Sequence, residues 1–326
     1  MGLKLKELVI SETINFSDIS HKTIVIDATN LLFKYITKIK NSQDIFYDYH
    51  GNPVSHIYGF FYFIINLIER KIKPIFIFDG IPPREKRPYN YYKIKRLSNA
   101  WKKYNSLGGN GSKLKVFKDS FFLYKYIIED LIKFIRMFGV PVFRAPSEGE
   151  AQAVRLVKEQ QAYGVISEDY DCLIFGCPKI YRKLNFKTNT LQQISLNKVL
   201  TKLDISFNQL IDIIILMGND YHPGFEGFGP KTSLKMIKKY GNIETMRKDY
   251  EFNEFDANKI RNLFLKPITS KFDVYFQYPN ILAIKEYLLE KNFSINRVRR
   301  GLARLNKGFK DLKIKQKRID HYIFNS

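Results

Sequence analysis

Apolar runs recur along the chain, and several stop at or just before an acid. "KTIVIDATN" stops at Asp27, "KPIFIFDG" at Asp79, and "YGVISEDYD" at Asp169 and Asp171. All three are short and rich in β-branched or aromatic residues without helical spacing. That is the pattern of strands buried on both faces. Around them, "VSHIYGFFYFIINLIERK" and "EAQAVRLVKEQQA" have the length and apolar spacing of helices. Another stretch, "LIDIIILMGNDYHPG", is an apolar helix or strand that meets a Gly-Asn-Asp turn at Asp220. Strand and helix in alternation predict an α/β fold: a central, mostly parallel twisted sheet with helices on both faces.

In such sheets the working site lies beyond the carboxyl ends of the strands. Several strands that each deliver an Asp to that edge would bring their carboxylates together. Each Asp alone has a plainer reading, as a turn former or helix cap. In "RAPSEGEAQAV", Ser147 is a candidate N-cap with Glu150 at the capping-box spacing, and Glu148 and Glu150 suit the start of a helix.

Composition changes the picture by contrast. The 326 residues carry a formal net charge of +22, which calls for a polyanionic partner. Nucleic acid comes ahead of an anionic membrane surface or a merely soluble surface. The longest apolar run, Ile57 to Ile68, is too short for a span and is followed by Glu69-Arg70-Lys71. The N-terminus has no apolar segment of signal-peptide length. Residues 84–118 hold eleven Lys and Arg against one acid, Glu85, with Tyr89, Tyr91, Tyr92, Trp101 and Tyr104 interleaved and "GGNGS" in the middle. Cations for phosphates and rings for bases suit single-stranded nucleic acid. A second basic block spans residues 294–318. It reads as a solvated helix with a tail or as a backbone-binding surface.

Two cysteines, Cys172 and Cys177, and five scattered histidines show no zinc spacing, and the two thiols are expected to be buried and reduced. Gathered together, Asp27, Asp79, Glu148, Glu150, Asp169, Asp171 and Asp220 would make an oxygen-only site. Such a site suits Mg²⁺ or Mn²⁺, and two divalent ions are a recurring solution for phosphodiester cleavage. Packed carboxylates also need cations to offset their repulsion. In "GFGPKTSLKMIKKYG", Gly227, Gly229 and Pro230 form a tight turn into a helix beginning near Lys231. Its first amides could take phosphate oxygens, with Lys231, Lys235, Lys238 and Lys239 adding charge.

The ordered set "MGLKLKELV", "IVIDATNLLFKY", "VSHIYGFFYFIINLIERKIKPIFIFDGIPP", "APSEGEAQAV", "SEDYDCLIFG", "MGNDY" and "GFGPKTSLKMI" resembles the flap endonuclease family of structure-specific 5′ nucleases, closely over residues 1–245. The resemblance implies that the seven acids are the family's metal-site carboxylates. It puts Lys86 and Lys93 at the base of a helical arch, against the scissile phosphate, and Gly2 close to the active site. The arch would be the basic segment that includes Arg96, with the 5′ flap passing through it. Phe33 and Lys40 fall in the helix that separates the duplexes; Phe33 keeps the stacking of a common family tyrosine without its hydroxyl. The Gly227–Lys231 turn matches the family's helix–two-turn–helix, which grips duplex beside a monovalent cation such as K⁺. Glu226 stands just before that turn, where basic residues can occur. The tail "QKRIDHYIF" resembles a sliding-clamp box with Gln316, Ile319, Tyr322 and Ile323, although the family usually has an aromatic where Ile323 stands.

The implied organisation is a single nuclease domain over 1–300, made of an N-terminal region (1–83), an arch (84–120) and an intermediate region (121–300). A basic tail, 301–326, follows. The implied activity is Mg²⁺-dependent cleavage of branched DNA near the base of a 5′ flap in replication and repair, with 5′–3′ exonuclease action beside it. The protein is expected to be a monomer that binds a PCNA-type clamp and no membrane, cytoplasmic in an archaeon and nuclear in a eukaryote. Rivals on the same fold are a four-way-junction resolvase, a 5′ exonuclease and, more distantly, a PIN-type ribonuclease. A non-catalytic DNA-binding clamp adaptor is the rival of another class.

Overall fold

The computed structural model describes residues 5–37, 46–52, 54–86, 120–250, 252 and 255–312. Gly2, Lys40, Lys93, Arg96, Gln316, Ile319, Tyr322 and Ile323 lie outside the described residues, as does most of the expected arch.

Seven strands form one mixed sheet in the order β1-β7-β6-β5-β2-β3-β4. They are β1 (Glu12–Asn15), β2 (Thr23–Asp27), β3 (Lys73–Phe78), β4 (Val142–Arg144), β5 (Gly164–Ile166), β6 (Lys179–Asn185) and β7 (Thr190–Ser195). Strands β6, β5, β2, β3 and β4 run parallel, and β7 pairs antiparallel with both β6 and β1. The three apolar runs are thus β2, β3 and β5. The antiparallel edge is a feature the sequence pattern does not announce.

Twelve α-helices occur among the described residues: α1 (Ala28–Thr37), α2 (Ser55–Glu69), α3 (Ser120–Arg136), α4 (Gly149–Lys158), α5 (Asp171–Ile174), α6 (Leu196–Leu203), α7 (Phe207–Met217), α8 (Pro230–Tyr240), α9 (Ile243–Met246), α10 (Ala257–Leu265), α11 (Ile281–Glu290) and α12 (Ile295–Asp311). The ambiguous run before Asp220 is helix α7. Residue 300, the expected end of the domain, falls inside α12, because Val298, Leu302, Leu305 and Phe309 continue one buried face through that point. Among the described residues no helix is long and apolar enough to cross a membrane.

Strand alternation builds two cores. On β3, Phe76 and Phe78 join an aromatic-rich cluster with α2, α3 and α12, while Ile75 and Ile77 join an aliphatic cluster with α4 and α7. On β2, Ile24 and Ile26 face the first cluster and Val25 the second. Both faces of β2 and β3 are therefore dry, which is why these strands read as unbroken apolar runs.

From β2 the chain goes on to β3 and β4 on one side, and from β5 to β6 on the other. The order of connection therefore reverses between the parallel neighbours β2 and β5. A crevice opens at such a point, outside the carboxyl ends.

Candidate active site

Asp27 ends β2 at this switch point. Its Oδ1 accepts the Asn30 amide at 2.9 Å, so it caps α1. Its Oδ2 accepts the Ser167 hydroxyl at 2.8 Å, from the end of β5. The same hydroxyl accepts the Asp169 amide at 3.1 Å. One serine thus ties the two sides of the switch point together.

Asp79 follows β3. Its amide donates to Thr29 Oγ1 at 2.9 Å, and its Oδ1 accepts the Gly149 amide, the first of α4, at 2.8 Å. Gly149 is glycine for a reason of space: a Cβ there would stand 2.7 Å from Asp79 Oδ1. Replacing Gly149 by Ala should displace the Asp79 carboxylate. In the cleavage that the sequence resemblance implies, the expected result is a loss of roughly a hundredfold in single-turnover rate, since small misplacements of a reacting geometry carry costs of that size. DNA binding should stay near that of the parent. Unchanged turnover would mean that Asp79 tolerates the shift.

The expected Ser147–Glu150 capping box does not form. The N-cap of α4 is Glu148, without a side-chain cap bond, and the buried Ser147 hydroxyl has no hydrogen-bond partner among the described residues. The Ser147 carbonyl accepts the Gly80 amide at 2.7 Å, which pins the loop to the end of β3 instead. The side chain of Glu148 is drawn into the site by stronger partners, Lys86 and Tyr221.

Lys86 sits on a short 3₁₀ turn (Arg84–Lys86) and is 6% exposed. Its ammonium pairs with Glu148 Oε1 and lies 2.9 Å from Asp220 Oδ2. Burial by itself lowers its pKa, but Glu148, Glu150, Asp220 and Asp171 around it hold it well above the ordinary lysine value. Asp171, at the start of α5, goes the other way. Burial first, and then Asp169 beside it, push its carboxyl well above the usual range. Its Oδ1 is buried without a hydrogen-bond partner among the described residues. Glu150 is buried nearby on α4.

Asp220 rides on a tight turn. The Asn219 amide donates to the His222 carbonyl at 2.8 Å, and Asn219 Oδ1 accepts the Tyr221 amide at 2.8 Å and the His222 amide at 3.1 Å. Gly218, at φ +90°, lets the turn close: a Cβ there would meet the Pro223 carbonyl oxygen at 2.4 Å.

Glu168, the third acid of "SEDYD", faces elsewhere. It takes Lys34 of α1 at 2.8 Å and the Lys183 amide at 3.3 Å. Gly227 (φ +81°) and Gly229, the N-cap of α8, leave open space where a Cβ would be. Lys231 and Lys235 are exposed on α8, Lys231 with its ammonium 3.9 Å from Glu7, and Glu226 is exposed just before the turn. Phe33 is half-buried against the aromatic cluster. Sequence reasoning missed Ser167, Thr29 and Tyr221. Only Tyr221 carries a local signal, its place beside Asp220.

The donor set is all oxygen, one donor is a buried carboxylate atom without a partner among the described residues, and the surplus of acids exceeds what Lys86 offsets. That chemistry fits hard divalent cations. Among the described residues, no three acidic, His or Cys side chains converge on one point as a ready ligand shell. Lys86 stands between Glu148 and Asp220 instead.

Two family models match the chain, the XPG N-terminal domain over residues 3–98 and the XPG I-region over 139–220. The flap endonuclease 1 of Methanobrevibacter smithii is 34% identical over 99% of this chain and 100% of its own length. That of Aeropyrum pernix is 32% identical over 99% and 100%. The solved flap endonuclease-1 from Methanococcus jannaschii superposes with a TM-score of 0.74 at 28% identity, covering 95% of this chain and 99% of its own. The catalytic core of Rad2 in complex with a DNA substrate shares the fold at 20% identity (TM-score 0.70, 90% and 95% covered). The fold is that of structure-specific nucleases. The chain belongs to the flap endonuclease family.

Proposed function

We propose that this protein is a Mg²⁺-dependent endonuclease that hydrolyses branched DNA near the base of a 5′ flap, leaving a 3′-hydroxyl and a 5′-phosphate. The observation that carries this is the grouping of Glu148, Glu150, Asp171 and Asp220 around the buried Lys86, with Asp27 and Asp79 at the adjoining strand ends. Asp27, Asp79, Glu148, Glu150, Asp169, Asp171 and Asp220 would hold the ions, with Mn²⁺ able to replace Mg²⁺. When bound, the ions supply Lewis acidity and positive charge for phosphodiester hydrolysis.

The chain's own groups do the rest. Lys86, released from Glu148 and Asp220, has the charge to stabilise a phosphate drawn into the crevice. The first amides of α8, beside the open backbone of Gly227 and Gly229, would take duplex phosphate oxygens, helped by Lys231 and Lys235. K⁺ at that turn and a sliding clamp at Gln316, Ile319, Tyr322 and Ile323 complete the reading on the strength of the sequence resemblance.

The test is a cleavage series on labelled flap, nicked, gapped and four-way-junction DNA, with Mg²⁺, Mn²⁺ or chelator. Fastest cutting of the flap, lost with chelator, is the expected result. Faster cutting of the four-way junction would make the protein a resolvase. Salt-sensitive binding without cutting at any metal concentration would make it an adaptor.

A further inference from the structure

Tyr221 is one residue past Asp220, and its hydroxyl donates to Glu148 Oε2. The other oxygen of the same carboxylate, Oε1, takes Lys86. The two oxygens of Glu148 are therefore divided between a neutral donor and a cation. The Lys86 ammonium also lies 5.8 Å from the centre of the Tyr221 ring. That ring is held from behind by Phe264 of α10, edge to face at 5.2 Å. Its backbone is held by Asn219. The phenol hydroxyl donates and the carboxylate oxygen accepts, so the bond holds the carboxylate by one of its two oxygens.

We propose that Tyr221 is a positioning residue for the metal site: its hydroxyl fixes Glu148 so that only Oε1 faces the crevice, where a cation and Lys86 compete for it. This rests on the reading of Glu148 as a metal ligand. A carboxylate free to rotate could turn either oxygen, or both, toward a cation. A carboxylate held by a rigid phenol presents one. Partners that orient a ligand in this way typically change metal affinity by about ten- to a hundredfold when removed. Tyr221→Phe removes the hydroxyl and keeps the ring against Phe264 and under Lys86.

The experiment is a titration of the full chain with Mn²⁺, without DNA, reading free Mn²⁺ by electron paramagnetic resonance. Y221F should bind about ten- to a hundredfold more weakly than the parent. Its thermal midpoint in chelator should stay close to that of the parent. In an E148Q background, Y221F should add little further loss, because the hydroxyl acts through that carboxylate. Equal affinities of Y221F and parent overturn the proposal, and so does a full additional loss in the E148Q background. If Y221F fails to fold, the hydroxyl serves the fold and the proposal falls. If the parent itself holds no Mn²⁺, the metal reading fails together with it; if the parent binds and Y221F matches it, only the role of Tyr221 fails.

Discussion

Replacing Asp171 by Asn should reduce flap cleavage by about a thousandfold or more, the scale seen when one preorganised charged or polar group is lost from a reaction centre. The same change should make the protein more resistant to heat in chelator. Both outcomes have one source. Asp171 is buried, lies beside Asp169, and has an oxygen without a hydrogen-bond partner among the described residues. Desolvation and repulsion both disfavour its charge in the folded protein. Asn keeps the shape and removes that cost. Active sites often hold such destabilising groups because the reaction needs them. Single-turnover cleavage and a melting curve in chelator check the pair. Cleavage within tenfold of the parent would remove Asp171 from the site, and a lower melting point would show that its charge is satisfied after all.

The second large effect lies away from the crevice. Arg261 of α10 clasps Asp212 of α7 with two bonds, at 2.6 and 2.9 Å, and Glu244 of α9 with two more, at 2.7 and 2.8 Å. Asp212 is 2% exposed and also accepts the Ile243 amide at 3.3 Å. Arg261→Met would leave that carboxylate buried without its cation. The expected loss is about 3–5 kcal/mol, a fall in melting temperature on the order of 10 °C. Replacing both partners, as in R261M/D212L, should recover most of it, because a well-packed apolar pair is nearly neutral against a buried ion pair. Cleavage by R261M should fall as well, since α10 carries Phe264, which backs Tyr221. A double variant as unstable as the single one would mean that packing, not charge, sets the loss.

The parts of the fold legible in the sequence were those whose burial is complete. β2, β3 and β5 are apolar on both faces, and α2 and α4 have helical spacing, so period and length sufficed. The β6–β7 hairpin was not legible. It is half exposed, and Lys179, Arg182, Lys183, Gln192 and Gln193 break its alternation. β1 and β4 are too short and too exposed to show a period. At the site, the strand-end acids were visible because an apolar run stops at each. The capping box at Ser147 was a sound local inference that tertiary contacts overrode. Glu148 pairs with Lys86, 62 positions away, and with Tyr221, 73 positions away, and no local pattern encodes either partner. The burial of Lys86 was hidden for the same reason. Its resemblance-based role faces a phosphate, whereas the structure shows its ammonium among carboxylates.

Asp27 and Asp79 each hold the amino end of a helix with the carboxylate that also borders the crevice. Asp171 carries no such duty to the scaffold. This separates the acids when an inactive protein is wanted for trapping an uncut substrate. With these acids as the proposed metal ligands, a variant at Asp27 or Asp79 would loosen α1 or α4 along with the reaction, so the trapped complex would report a disturbed scaffold. A variant at Asp171 would silence the reaction on an intact one, and is the better choice for seeing how the branched DNA sits before it is cut.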